Sequence, residues 1–402
     1  MVIAPDVLEL AVSGHRMQPM QMPARSLETV QTLPPGGATG DAAWLAAHAL
    51  EPNFTLMPQW LEPLAAQLGS GAVSRDMVMG DDGRPGALVC LRKGRWRWGL
   101  PLSHLETWFG EFPISGTPLL NPSNPAGVAA RLVAQLFAAS QASAVLLSHV
   151  TCRHAVTSVL ADGCGMVDAP VAFLDQRERA ALHCNGDHEA WFNGSFSRKR
   201  RKEYRRLRSR LDEEGGVTFE VREGRFDGLD RWIKDFCALE RSGWKGRAGT
   251  AIGSSDSLTG FMTASLDRLA GDNKLVCWSL LVAGKPVAMM FGVREGATCW
   301  IVKIARDEAF DKFSPGLLLV LDVTGWLFGD DEILFADSCA EPGHPMIDHI
   351  WRDRLPLCDV LIGRPGQSRA VFGALVALEQ ARRAARRNLK SLRNRLRKGL
   401  SR

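Results

Sequence analysis

The same order of predicted elements occurs twice along this chain, and that order limits the fold more than any single motif. The first pass begins with helical spacing over 41–72, where Trp60, Leu61, Leu64 and Leu68 recur every three to four residues. A meander follows: Asp76–Met79, the turn Asp81-Asp82-Gly83, Ala87–Leu91, the turn Lys93-Gly94, and Trp96–Leu100. A helix at about 125–140, a strand Ala144–Ser148, a helix at about 152–162 and a strand Met166–Leu174 complete it. The second pass opens with a charged helix at about 197–214, stopped by Gly215-Gly216. Strand Val217–Val221 and helices at about 227–242 and 256–270 lead to a second meander. Its strands are Leu275–Val282, Val287–Val293 and Thr298–Ile304, joined at Ala283-Gly284-Lys285 and Glu295-Gly296. Then come a helix at 315–328, a strand Ile333–Ala336, a short helix at about 344–351 and a strand Leu357–Ile362. One long helix closes the chain. No sequence repeat at a fixed period accompanies this duplicated order. The expected fold class is α/β (α+β), with two tandem domains built on mixed, mostly antiparallel sheets. The expected boundaries are a loose leader at 1–40, domains at 41–180 and 186–366, and a basic amphipathic helix at 367–402.

Charge is distributed unevenly. The net charge over 402 residues is +5, yet 197–210 hold nine basic residues and one acid, and 379–402 hold ten and one. The remainder therefore carries −12. An acidic body with two cationic strips excludes a uniformly basic nucleic-acid coat. No apolar run approaches ~18 residues, so no membrane-spanning helix is expected. The N-terminus lacks the pattern of a secretory signal. Nine scattered cysteines form no disulfide framework and fit reduced thiols in a cytoplasm.

Four places offer chemistry. Phe313-Ser314-Pro315-Gly316-Leu317 opens an apolar helix, with Lys312 just before it. Ser314 reads as the N-cap and Pro315 as the first helical residue, while Gly316 leaves room at the backbone. Free N–H groups and a positive dipole end suit a pyrophosphate, although an ordinary capped helix start would read the same way. The helix 197–214 places Tyr204, Leu207 and Leu211 on an apolar stripe and arginines, Arg201 and Arg205 among them, elsewhere. Such a density of guanidinium groups asks for an anionic partner: a cofactor phosphate, a nucleotide-sugar, a tRNA or a lipid headgroup. Asp337-Ser338-Cys339-Ala340-Glu341-Pro342-Gly343-His344 follows a strand, where polar residues tend to face a cleft. Asp337 or Glu341 is the candidate base and His344 the candidate relay, with a Cys339 thiol nucleophile as the lesser alternative. The spacing of His344 and His349 does not suit a metal pair, and no metal site is expected. Finally, Glu240 to Gly246 ends a helix with glycines and sets Trp244 and Lys245 in a loop that can cover a substrate.

These segments recur together in one order. Phe196-Ser197-Arg198-Lys199 precedes Gly243-Trp244-Lys245-Gly246, then Gly284-Lys285-Pro286-Val287-Ala288, then Ser314-Pro315-Gly316, then Asp337-Ser338-Cys339 with Trp351. That order resembles the CelD-type acetyltransferases of the GNAT superfamily, which bacteria often encode near polysaccharide-synthesis functions. The stretch Ala49-Leu50-Glu51-Pro52-Asn53-Phe54 looks like the start of these proteins. The resemblance spans about 41–362, and these proteins are similar to the FemABX peptidyltransferases with two tandem GNAT-like domains. It implies transfer of an acyl group from acetyl-CoA or another acyl-CoA to an amine or hydroxyl. It places the donor pyrophosphate at Lys312, Ser314, Pro315, Gly316 and Leu317, the base at Asp337, with His344 and Glu341 behind it, and the acceptor at Arg201, Arg205, Trp244 and Lys245. The usual Arg/Gln-x-x-Gly-x-Gly/Ala loop is absent. The implied setting is cytoplasmic, peripheral to the inner membrane, with a small-molecule or glycan acceptor in envelope or exopolysaccharide biosynthesis. Two alternatives stay open: a FemABX-like transferase using aminoacyl-tRNA, and a degenerate GNAT scaffold holding a partner or an anionic membrane surface through 379–402.

Overall fold

A computed structural model of the protein describes residues 38–69 and 73–400. The expected leader lies outside the described residues up to position 37. In the first half, α1 (Ala38–His48) and α2 (Pro58–Leu68) precede β1 (Val73–Met79), β2 (Pro85–Gly94), β3 (His104–Thr107) and the two-residue β4 (Leu119–Leu120). Then come α3 (Pro125–Ser140), β5 (Ala144–Thr151), α4 (Ala155–Met166) and β6 (Val171–His183). The meander departs from expectation in its third strand. Residues 96–100 form a tight turn, with Arg97 bridged to Leu100 and both Trp98 and Gly99 at positive φ, 58° and 75°. Trp favours strands, but two successive left-handed residues are what a two-residue hairpin turn requires. The last strand is longer than expected, continuing nine residues beyond Leu174.

The second half contains α5 (His188–Ser195), α6 (Arg198–Asp212), β7 (Val217–Glu223), α7 (Leu229–Ser242), α8 (Trp244–Arg247) and α9 (Asp256–Gly271). It continues with β8 (Leu275–Val282), β9 (Lys285–Glu295), β10 (Thr298–Arg306), α10 (Pro315–Phe328), β11 (Phe335–Asp337), β12 (Asp353–Gly363) and α11 (Arg369–Leu400). Only a 3-10 turn, Ile347–His349, stands where a short helix was expected at 344–351.

All twelve strands join one mixed sheet in the order β1-β2-β3-β5-β12-β6-β11-β10-β9-β8-β7, with β4 on β2. Pairing is antiparallel except at β3·β5 and β10·β11. Those two parallel junctions occupy matching places in the two halves. The halves do not close separately. Strand β12, which the element order assigns to the second half, inserts between β5 and β6 of the first. The far end of β6 then pairs with β11.

Strand alternation sorts side chains into layers. Along β8, Leu275 and Cys277 face the layer containing α2, α7 and α9, whereas Val276, Trp278 and Leu280 face α6 and α10. The first of these cores crosses between halves. Trp60 meets Phe112 at 5.5 Å and Phe261 edge-on at 4.9 Å, and Phe54 lies 5.4 Å from Trp300. A third core sets α3 and α4 against β2, β5 and β12.

Helix α11 docks by its first turns. Phe372 and Leu375 are buried, and Glu379 continues their stripe one turn on with no exposure at all. Its carboxylate accepts from Arg97 (3.0 and 3.1 Å), the Trp98 indole (2.7 Å), Arg382 (3.2 Å) and Arg383 (2.7 Å). Arg383 also reaches Asp359 on β12 at 2.6 Å. Among the described residues, no helix is long and apolar enough to cross a membrane.

Candidate active site

Strands β10 and β11 pair only over Thr298–Trp300 and Phe335–Asp337. Beyond those residues they pair with each other no further, and a β-bulge between Ile301 and Lys303 bends β10 against β9. Backbone groups of β10 are thereby released on the β11 side. Of the residues expected at the site, Asp337 lies on β11, and Lys245 and Gly316 adjoin β10, whereas Arg201 and Arg205 lie on α6.

Lys303 follows the bulge. Its ammonium lies 3.1 Å from the Glu240 carboxylate and 5.6 Å above the Phe112 ring of the first half. Lys245 reaches the same Glu240 oxygen at 3.0 Å and donates to the Ile304 carbonyl of β10 at 3.3 Å. The other Glu240 oxygen accepts from the Ile252 N–H at 2.8 Å. Two lysines thus share one buried carboxylate, leaving one positive charge in excess. Burial is the larger influence on Lys303 and lowers its pKa, against the opposing pull of Glu240. The segment expected to form a covering loop is instead the helical turn α8, and Lys245 is anchored within it. Glycines at 243 and 246 suggested a loop, but the second lies inside the turn, packed on the Arg241 carbonyl. The Trp244 side chain lies outside the described residues.

Asp337 ends β11 and is buried. It forms an ion pair with Arg179 of β6, and its other oxygen accepts from the Cys339 N–H at 3.0 Å. Arg179 is equally enclosed and also donates to the Ile114 carbonyl at 2.7 Å. Burial, reinforced by Asp337, pushes the Cys339 thiol well above its usual pKa, so it stays protonated and does not suit a nucleophile. His344 is half-buried, and its Nδ1 accepts from the backbone N–H groups of Met346 (3.3 Å) and Ile347 (3.4 Å). Burial lowers its pKa, with Asp348 opposing the shift and Lys245 adding to it. The neutral imidazole with Nδ1 accepting carries its proton on Nε2, which makes that nitrogen a donor. Glu341 is exposed beside it.

At the other end of the opening stands the start of α10. Pro315 takes the first helical position as expected, but Ser314 departs from its expected role. It sits at φ 54°, ψ 55°, and its side chain makes no capping hydrogen bond. Its left-handed backbone turns the hydroxyl away from the helix, while its carbonyl accepts from Leu317 (3.0 Å) and Leu318 (3.1 Å). A β-carbon added at Gly316 would lie 3.5 Å from Ile304 and from Arg306 of β10. The helix start and the free edge of β10 are therefore in contact. Arg306 forms a bidentate pair with Asp311 (2.7 and 3.1 Å). Lys312 points back to Glu214 at 3.2 Å and lies 4.5 Å from the Phe313 ring centre.

The matching place in the first half is crossed by backbone, with a cavity beside it lined by Thr107, Trp108, Gly116 and Leu147. Strands β3 and β5 part after Glu106 and Leu146, and residues 108–118 fill the gap. Gly116 donates to the His149 carbonyl at 3.1 Å, and Thr107 Oγ1 accepts from the Ser148 N–H at 3.0 Å. A β-carbon on Gly116 would stand 2.1 Å from the Ser148 carbonyl oxygen. Gly116→Ala is therefore expected to lose about 1–3 kcal/mol in urea unfolding, and an unchanged midpoint would contradict this packing. The start of α3 is capped too. Asn124 accepts from the Gly127 N–H at 3.2 Å and donates to the Asp81 carboxylate at 3.0 Å.

Arg201 and Arg205 lie on α6, where Arg201 bonds Asn193 and Arg205 is exposed. No contact joins either to Lys245 or His344 among the described residues. Glu240, Lys303, Arg179 and Arg306 were not singled out by sequence reasoning. Glu240 carried a signal, since it extends the buried stripe Trp232, Ile233, Phe236, Cys237 on α7.

Residues 198–333 match the family described as acetyltransferase (GNAT) domain. No curated protein matches the chain. Among solved structures, FemX is similar at 12% identity and TM-score 0.52, over 76% of this chain and 88% of FemX. A conserved protein of unknown function from Bacteroides thetaiotaomicron is similar at 11% identity and TM-score 0.51, over 81% of this chain and 97% of that one. At such identities the likeness concerns fold alone. Residues 198–333 thus carry a GNAT acetyltransferase domain, and its strands continue into one sheet with those of the first half.

Proposed function

We propose that this protein is an acyl-CoA-dependent N-acyltransferase, most simply an acetyltransferase, acting on an amino sugar or similar precursor in envelope or exopolysaccharide biosynthesis. The observation that carries this reading is the contrast between the two parallel junctions. The β10·β11 junction adjoins a helix whose first turn has no side-chain cap, whereas Asn124 caps α3 beside the junction of the first half. The Gly316 N–H would hold a donor phosphate, with Lys312 and Arg306 as nearby cations and Ser314, Pro315 and Leu317 shaping the turn. The released edge of β10 would receive the acyl group, and coenzyme A supplies the thioester that is cleaved. Lys245 and Lys303 bias the opening toward negative charge developing on the acyl oxygen. His344 Nε2 is placed in this reading as a proton donor. Asp337, held by Arg179, positions the floor rather than taking a proton. Glu341, exposed next to His344, takes over as base.

The test is thiol release from acetyl-CoA with a panel of amino sugars. Lys312→Glu reverses one of these cations at an exposed position. Its KM for acetyl-CoA is expected to rise at least about tenfold with folding intact. An unchanged KM would remove the assignment.

One observation supports aminoacyl-tRNA as the donor instead. Arg198, Lys199, Arg200, Lys202 and Arg205 are exposed near the start of α6, and no ion pair is recorded for them among the described residues. Cations there oppose the helix dipole and invite a polyanion. Binding of tRNA that disappears at moderate salt, without thiol release, would select this reading.

A further inference from the structure

We infer that the tight turn at 95–100 and the outer part of α11 form one docking surface for an anionic lipid bilayer. The turn presents Trp96, 70% exposed, and Leu100, 42% exposed, with Arg95 exposed beside them. A large aromatic at a loop tip among arginines gains nothing from water and suits the headgroup layer, where an amphipathic ring has both apolar and polar neighbours. The turn is fixed to α11, because Arg97 and Trp98 both bind the buried Glu379. Trp96 lies two residues from Trp98, so at most about 7 Å of chain separates it from that anchor.

Beyond the anchor α11 becomes exposed. Residues 385–389 are exposed, including Arg386, Arg387 and Leu389, the last at 66%. Arg387 keeps a long pair with Asp175 at 3.6 Å. The sequence from 380 to 402 contains no acidic residue, and leucines recur at 389, 392 and 396. Glu379, the only acid in this cationic strip, is consumed by Arg97, Arg382 and Arg383. Beyond Glu379 the charges of this strip are all cationic, and the leucine spacing of its sequence suits a helix lying along an interface. Nucleic acid would satisfy the arginines but leaves the exposed Leu100 and Leu389 without a partner. A lipid surface satisfies both.

Flotation of the full chain tests this. Vesicles of phosphatidylcholine with about a third phosphatidylglycerol should carry the protein, and phosphatidylcholine alone should not. Each arginine near such a surface contributes about fivefold in partitioning. Arg386→Glu with Arg387→Glu should therefore weaken binding at least about twentyfold. Trp96→Ser should weaken it about tenfold, and because Trp96 is exposed its loss should leave the fold unaltered. Equal flotation with neutral vesicles overturns the proposal. So does full retention by Trp96→Ser, or salt-sensitive tRNA binding with no vesicle binding.

Discussion

Glu379→Gln is expected to detach α11 from the sheet. The substitution keeps the shape of the side chain but leaves Arg97, Arg382 and Arg383 around an uncharged amide in a site with no solvent exposure. Removing one partner of a buried ion cluster costs about 3–5 kcal/mol. Hydrogen exchange over 369–383 should accelerate accordingly, while exchange in β8–β10 changes little. Unchanged protection of 369–383 would show that Phe372 and Leu375 hold the helix alone. Acid should produce the same detachment. Burial by itself raises the Glu379 pKa, but Arg97, then Arg382 and Arg383, outweigh it and hold the carboxyl at about 2, below the ordinary value of 4.5. A depressed carboxyl contributes stability that is fully present above the unfolded pKa and is lost as pH falls through the folded one. Protection of 369–383 should therefore fall between about pH 4.5 and 2, and the Gln variant should lack that step.

The second large effect concerns Arg179 and Asp337. Arg179→Met alone should destabilise by about 3–5 kcal/mol, because it leaves a buried carboxylate without its counter-ion. Adding Asp337→Leu should restore about 1–3 kcal/mol of that loss, as expected of two groups that interact mainly with each other. Urea unfolding of the two single variants and the double variant measures the coupling. If the losses simply add, the pair is not the unit described. The double variant also separates structure from chemistry. An Asp337 that only positions the floor should let the restored double variant keep measurable thiol release, whereas a catalytic base would not.

Local patterns carried much of this architecture. Helix α10 begins at Pro315, where the proline and the following apolar run place it, and α6 stops before Gly215-Gly216. The β8–β10 meander follows the alternation of its side chains and its Gly turns. What depends on distant partners was not legible in the same way. Asp337 could be read as a base because its partner, Arg179, lies 158 residues away on a strand of the other half. Ser314 belongs at an N-cap by residue type, yet the chain enters α10 through a left-handed residue that takes the hydroxyl out of reach. Glu240 and Glu379 share a signal that can be read without a structure. Each places a carboxylate on a stripe that is otherwise apolar at helical spacing, Phe236-Cys237-Glu240 and Phe372-Leu375-Glu379. Each proves to be buried against cations from elsewhere in the fold, Lys245 and Lys303 for Glu240 and Arg97 for Glu379.

The insertion of β12 between β5 and β6 bears on the order in which the protein can mature during translation. When β6 emerges, β12 and β11 are not yet made, so β5 lacks a partner on one edge and β6 on both. At about 5–20 residues per second, the stretch from His183 to Asp353 takes roughly 10–30 s to synthesise. During that interval the first half is a sheet with a missing central strand. A nascent chain in this state is exposed to edge-to-edge association with its neighbours on a polysome. Slowing elongation across this stretch should lengthen the vulnerable period, and supplying the second half as a separate polypeptide would ask two chains to complete one sheet.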